Sequence, residues 1–239
     1  MKNKKLAILI DPDKPESYQV ILECNQNKYL IEKHRVEIWI GTSKYNFKQM
    51  RNFIKILNEY KPIVFPGRID HALCYDKYVK AIFRPKLLNC SKPLMHFYVY
   101  LGKLFTKILN LMFSDGPELW DYGYLVTGPE STVGRKTGAI KLDENGIYSL
   151  VEDYIKKNPN GKGIYIEQGS GAKEPLSEKV VRNVRKMMPS KEIIVGGGIT
   201  SPQTVQNLWR AGCDRCVVGT YFEKNPGKMR DFIENLFEN

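Results

Sequence analysis

Five short stretches combine acids, hydroxyls and glycines in a way that suits phosphate and metal chemistry: DPDK (11–14), GTS (41–43), EQGSGA (167–172), GGGIT (196–200) and GT (219–220). Each follows directly on a run of apolar residues. Glycines let backbone N–H groups approach phosphate oxygens closely, so the 196–200 and 219–220 stretches read as the two halves of an anion cup. The competing reading is that these glycines only make tight turns. Ser170 and Thr220 would add hydroxyl donors. Asp11 and Asp13 flank Pro12, which holds Asp11 extended, and two acids facing a phosphate would repel it unless a divalent cation stood between them. Hard oxygen ligands suit Mg²⁺, which takes one or two protein carboxylates and completes its shell with water and phosphate oxygens. A plain solvated turn is the alternative for DPDK. Glu167 ends an apolar run two residues after Tyr165 and stands beside Gly169-Ser170-Gly171-Ala172, an acid at the edge of a glycine-lined hollow.

Such ends need strands to carry them. Eight apolar, β-branched runs recur: LAILI (6–10), VEIWI (36–40), PIVF (62–65), KAIFRPKLL (80–88), YGYLVT (122–127), GIYIE (163–167), EIIVG (192–196) and CVVG (216–219). They are continuous rather than alternating, as strands buried on both faces are. Helical spacing of apolar residues appears between most of them, over 45–60, 93–113, 147–157, 177–188, 202–211 and 226–237. Ser201-Pro202 marks a helix start and Gly212 a stop. This alternation predicts a single (β/α)8 barrel domain over residues 1–239, whose chemistry sits where strands end and loops begin. Only about 14 residues separate PIVF from KAIF, so the third helix is expected to be a loop or a short turn.

Composition narrows the partners. The chain has 239 residues, 42% hydrophobic, with a formal charge of +11. A cation excess suits phosphorylated metabolites, acidic membrane surfaces or nucleic acid. The lysines and arginines are spread along the chain with no basic helix and no RNA-binding aromatic signature, which argues against nucleic acid. No apolar stretch approaches the roughly 20 residues of a membrane span, and no secretory signal is visible, so a cytoplasmic protein is expected. The five cysteines do not form a paired framework. Cys213 and Cys216 lack a second pair or a nearby histidine and are expected to pack at a strand end.

Taken in order, LIDPDK, VFPG, GYLV…TVGR…GA, YIEQGSGA, VGGGITSPQ and VVGT resemble the geranylgeranylglyceryl phosphate synthase family of prenyltransferases, which includes the heptaprenylglyceryl phosphate synthases. The resemblance spans residues 6–220. It implies that the 3-hydroxyl of sn-glycerol 1-phosphate attacks C1 of a long prenyl diphosphate, geranylgeranyl diphosphate foremost, to form an ether and release diphosphate. Carried over position by position, it implies Mg²⁺ ligands at Asp11 and Thr42, with Ser43 the alternative to Thr42. The glycerol phosphate site falls on Tyr165, Ile166, Glu167, Gln168, Gly169, Ser170 and Gly171, with Gly197, Gly198, Gly219 and Thr220. Glu167 would be general base or would only orient the alcohol, and Asp13 is expected beside it in the catalytic set. A homo-oligomer and peripheral contact with membranes are also expected. Two departures stand out: a single glycine before Thr42, and FRPKLLNCSKP (83–93) where the family has a small apolar strand end. Arg84 and Lys86 thus fall near the expected prenyl groove, facing outward or binding diphosphate, and the aromatic segment 96–105 would line that groove or pack as core. Other phosphate-handling barrels, an isomerase or a flavin enzyme, and a non-catalytic phospho-ligand barrel are the alternatives.

Overall fold

The computed structural model describes residues 4–42, 47–74 and 76–238, with the side chains of Thr42 and Ala72 outside the description. The order is β1 (Lys5–Ile10), α1 (Ser17–Gln26), α2 (Lys28–Lys33), β2 (Glu37–Thr42), α3 (Phe47–Ile56), β3 (Ile63–Pro66), β4 (Ala81–Leu87), α4 (Pro93–Met112), β5 (Glu118–Val126), α5 (Thr132–Thr137), α6 (Glu144–Lys157), β6 (Gly163–Glu167), α7 (Glu178–Met187), β7 (Glu192–Gly196), α8 (Pro202–Ala211), β8 (Arg215–Val218), α9 (Thr220–Lys224) and α10 (Met229–Phe237). The eight strands are parallel and close into a barrel, β8 returning to β1. All eight apolar runs are strands; β5 begins four residues earlier than its apolar run because Glu118 and Trp120 extend the ladder with β4. The connection from β3 to β4 carries a short 3-10 turn, Ile69–Leu73.

Helix starts follow local chemistry. The Ser201 side chain accepts from the Thr204 N–H at 3.2 Å with Pro202 in the first turn, and Gly212 ends α8 at φ 114°. Ser177, Ser131 and Asp143 cap α7, α5 and α6 in the same way, each such cap contributing about 1 kcal/mol.

Alternation along the strands sorts the side chains into two layers. Leu6, Ile8, Ile38, Ile40, Ile164, Ile166, Ile193 and Val195 point outward and are buried under the helices. Ala7, Trp39, Phe83, Trp120, Tyr122, Tyr124, Tyr165 and Val217 point inward and fill the barrel. Tyr165 stands roughly edge-on to Trp39, Phe65 and Phe83, at ring separations of 6.1, 5.9 and 6.0 Å, so the interior is a packed aromatic column. Cys213 and Cys216 are buried thiols with sulfurs 3.8 Å apart, and among the described residues no group of three or more His, Cys, Asp or Glu side chains could hold a metal. They pack, as expected.

The strand starts close the base of the column with charge. Arg215, 3% exposed, ion-pairs Glu37 at 2.8 Å and Glu192 at 2.7 Å, and its guanidinium lies 4.8 Å from the Trp120 ring centre. Lys5 and Lys80 each reach Glu37 at 3.0 Å. Burial pushes the Glu37 carboxyl up, but Arg215, Lys80 and Lys5 together overcome it and bring it from 4.5 down to about 2. A depressed folded-state value adds stability that is present above the ordinary 4.5 and is lost as pH falls toward 2. The shift corresponds to about 3 kcal/mol. Glu37→Gln should therefore destabilise the barrel by about 3–5 kcal/mol at pH 7, since it strands part of a buried cation. In denaturant melts, the gap to the unsubstituted protein should narrow as pH drops below 4.5; a gap independent of pH would contradict this account.

Candidate active site

Three cavities run side by side across the carboxyl ends of the strands. The first, about 140 Å³, is the glycine cup: Ser170, Gly171, Gly197, Gly198, Gly219 and Thr220 line it, with Lys224 at its rim. The second, about 180 Å³, is central and is lined by Asp11, Lys14, Gly41, Tyr124 and Glu223 among others. Tyr165, Glu167, Ser170 and Thr220 belong to the walls of both. The third, about 470 Å³, is a largely apolar groove between β4 and α4, floored by Ile82, Phe83 and Pro85 and walled by Met95, Tyr98 and Val99. It shares Pro66, Gly67, Pro85, Met95, Val99 and Lys136 with the central cavity. Cup, centre and groove are thus contiguous.

The cup depends on glycine geometry at two positions. Gly197 and Gly198 have φ 86° and 71°, in the left-handed region that other residues avoid. A Cβ on Gly198 would come within 2.1 Å of the Glu174 carbonyl oxygen, and one on Gly197 within 2.8 Å of Gly169 backbone.

Glu167, 8% exposed, ends β6 pointing inward, between cup and centre. One carboxylate oxygen accepts from the Tyr165 hydroxyl and the other from the Gly169 N–H at 2.9 Å. Burial raises its pKa and these two donors oppose the rise. Each oxygen keeps a further lone pair, so the group is held in place and still able to accept a proton. Tyr165 stays a neutral donor, its own pKa raised well above 10 by burial and by Glu167.

Asp11 leaves β1 in a tight turn: its side chain accepts from the Asp13 N–H at 3.1 Å, and its carbonyl accepts from the Lys14 N–H at 3.0 Å. Its carboxylate takes part in no ion pair among the described residues. Burial, with repulsion from Asp13 and Glu223, outweighs that hydrogen bond and the charge of Lys14, and raises its pKa from 3.8 to about 6. Lys14 is instead paired with the buried Glu223. A half-buried carboxylate short of positive charge, in a cavity wall, fits a hard cation such as Mg²⁺. Water and ligand oxygens would supply the rest of the shell.

Several expected residues lie elsewhere. Ile166 cannot touch a ligand with its side chain, because strand alternation turns it into the helix-facing core between the inward Tyr165 and Glu167. The Gln168 side chain accepts from the Thr127 hydroxyl and its N–H donates to Gly196 at 2.9 Å; like Gly169, it braces the loop and is absent from the cavity walls. Asp13 also lines none of the three cavities, and its charge acts on Lys136. Thr42 ends β2 opposite Pro66, while its side chain and Ser43 lie outside the described residues. Arg84 and Lys86 face the helix layer: Arg84 pairs with Asp121, which also holds Lys103 at 3.2 Å, and Lys86 donates to Asn158 at 3.0 Å. Arg84 and Lys103 line the groove, remote from the cup.

Lys136 has no distinguishing mark in the sequence, where it follows directly on TVGR (132–135). It stands where the groove meets the centre, its pKa lowered by burial and by Arg68. The available signal was a cation following a glycine just beyond the fifth strand. On this geometry, Gly198→Ala should weaken the binding of inorganic phosphate by more than about tenfold, read by titration calorimetry, with the Glu174 carbonyl forced off its position. Unchanged phosphate affinity would remove the cup as the anion site.

The model of the PcrB family matches residues 1–236. Geranylgeranylglyceryl phosphate synthase of Methanobrevibacter smithii is 30% identical over 245 aligned positions, covering 99% of this chain and 92% of that protein. The enzyme of the same name from Methanopyrus kandleri is 35% identical, covering 95% and 92%. Among solved structures, (S)-3-O-geranylgeranylglyceryl phosphate synthase from Thermoplasma acidophilum, in complex with the substrate sn-glycerol-1-phosphate, superimposes with a TM-score of 0.78 at 25% identity over 99% of this chain and 92% of that one. With cup, acid and groove on one barrel face and a match running nearly end to end, the chain belongs to the PcrB family.

Proposed function

We propose that the protein is a prenyltransferase that joins the 3-hydroxyl of sn-glycerol 1-phosphate to C1 of a long prenyl diphosphate, geranylgeranyl diphosphate foremost, releasing diphosphate. The observation that carries this reading is the contiguity of an anion cup, a central cavity holding Glu167 and Asp11, and an apolar groove. A sugar phosphate isomerase has no use for the groove. The family match and the glycerol phosphate bound to the Thermoplasma acidophilum relative support the same substrate pair.

Each group has a task. The cup residues Ser170, Gly171, Gly197, Gly198, Gly219 and Thr220 hold the phosphate of the glycerol substrate. Glu167 accepts a hydrogen bond from its 3-hydroxyl and takes the proton as the oxygen attacks C1, while Tyr165 and Gly169 fix the carboxylate. The C1–oxygen bond to the diphosphate breaks as the ether bond forms, and the electron pair leaves with the diphosphate. Asp11, with Thr42, would hold Mg²⁺, which when bound would supply Lewis-acid stabilisation of that leaving group. Lys136 and Arg68, at the mouth of the groove, meet the diphosphate, and the isoprenoid tail lies between β4 and α4. The protein works in the cytoplasm as a homo-oligomer and touches membranes peripherally; its +11 charge is consistent with anionic lipid.

Incubation with Mg²⁺, labelled sn-glycerol 1-phosphate and a panel of prenyl diphosphates should give a lipid-extractable product. Absence of product with every donor would overturn the proposal. Glu167→Gln should lower kcat by about 10²- to 10⁴-fold while glycerol phosphate still binds; full turnover would leave the glutamate as an orienting group only. Asp11→Asn should shift the Mg²⁺ activation curve to higher concentration, and an unaltered curve would remove Asp11 as ligand.

A further inference from the structure

Helix α4 has two apolar faces, of which the groove uses one. Met95, Tyr98, Val99, Gly102, Lys103 and Thr106 line the groove, and Thr106 is the helix's one buried residue. The opposite face carries Phe97, Tyr100, Leu104, Ile108, Leu111 and Met112, exposed by between 43% (Leu104) and 79% (Leu111). Most of the large exposed apolar side chains among the described residues lie on this one segment. A patch of that kind on a folded chain marks a contact surface. The charge beside it has one sign: Lys107 is exposed there and no Asp or Glu occurs between 92 and 114, while Lys103 turns to the groove and pairs with Asp121. A second copy of the helix would bring another Lys107 and no acid from this segment to meet it. An anionic lipid surface offers hydrocarbon for the apolar face and negative charge for Lys107 and for the cation excess of the chain. The helix is not long and apolar enough to cross a membrane, which fits lying in the interface.

We propose that α4 is an interfacial helix: its outward face inserts among the lipids of an anionic bilayer, and its inward face opens the groove to that bilayer. This rests on the prenyl diphosphate reading above and deepens it, since the tail would pass from lipid to groove along α4 without crossing water, and the ether-lipid product would return by the same route.

Flotation of the full chain with vesicles tests it. The protein should float with vesicles of equal parts phosphatidylglycerol and phosphatidylcholine and stay down with phosphatidylcholine alone. The triple variant Phe97→Ser, Leu104→Ser, Leu111→Ser should lose about tenfold or more of that binding. Lys107→Glu, a single exposed change that leaves the apolar face intact, should lose about fivefold; it keeps the test decisive if the triple variant fails to give the native circular dichroism spectrum. The triple variant should also turn over a short, water-soluble prenyl diphosphate at the unsubstituted rate, because none of its positions lines the groove. Failure of the unsubstituted protein to float with anionic vesicles overturns the proposal, as does equal flotation of a folded triple variant. A triple variant that halves the mass seen by light scattering, where the unsubstituted protein ignores vesicles, assigns the face to a second copy instead. Turnover is scored separately: no product from the unsubstituted protein would sink the prenyltransferase reading, while vesicle binding would still decide the role of α4.

Discussion

The parallel pairing of β8 with β1 sets Lys5 beside Arg215 and Ile8 beside Val218, and this closure decides the direction of every strand side chain. Once the barrel is shut, a strand residue faces either the aromatic column or the helix layer, with no third option. Glu167 and Tyr165 share the inward direction, two residues apart, and so can bond to each other. Ile166 between them is committed to the outer core. A slip of one residue in β6 would bury Glu167 among helices and aim Ile166 at the cup.

The two ends of the column carry opposite electrostatic solutions. At the base, Arg215 is compensated by Glu37 and Glu192, and the charge there is structural. At the top, Asp11 has no ion-pair partner among the described residues and Glu167 is held by neutral donors, so both carboxyls are pushed up rather than down. Perturbation of that kind in a cleft is a mark of functional acids. The column between insulates one end from the other, and the packed Trp39, Phe83 and Tyr165 rings give the site a rigid floor.

Much of this was legible in the chain. Eight apolar runs became eight strands, and Ser201-Pro202 and Gly212 marked α8 to the residue because capping chemistry is local. The helices α1 and α2 carry no clear stripe in the sequence, since their apolar residues cluster at Val20–Leu22 and Tyr29–Ile31 instead of repeating over several turns. The short α5 and α9 offer too few turns for periodicity to register. Among site residues, the glycines and the two key acids stood out because their types are unusual at strand ends. Gln168 entered with them through the family resemblance and Asp13 through its place beside Asp11, and neither a motif nor adjacency says which way a loop side chain turns. Lys136 was invisible for the converse reason: it is far in sequence from the residues it joins, and one lysine among many carries no signal until the fold brings it to the groove.

The sequence by itself determined the class of barrel, the strands, the glycine-rich strand ends and the acid at the end of β6, because each is a local pattern of residue types with a local physical cause. Only the tertiary structure decided which neighbours face the cavities, that the glycine cup opens through the central cavity into an apolar groove, and that Arg84 and Lys86 lie outside the cup while Lys136 reaches the junction. Those facts depend on contacts between residues tens of positions apart, and they come into being only when the closed sheet sets the register.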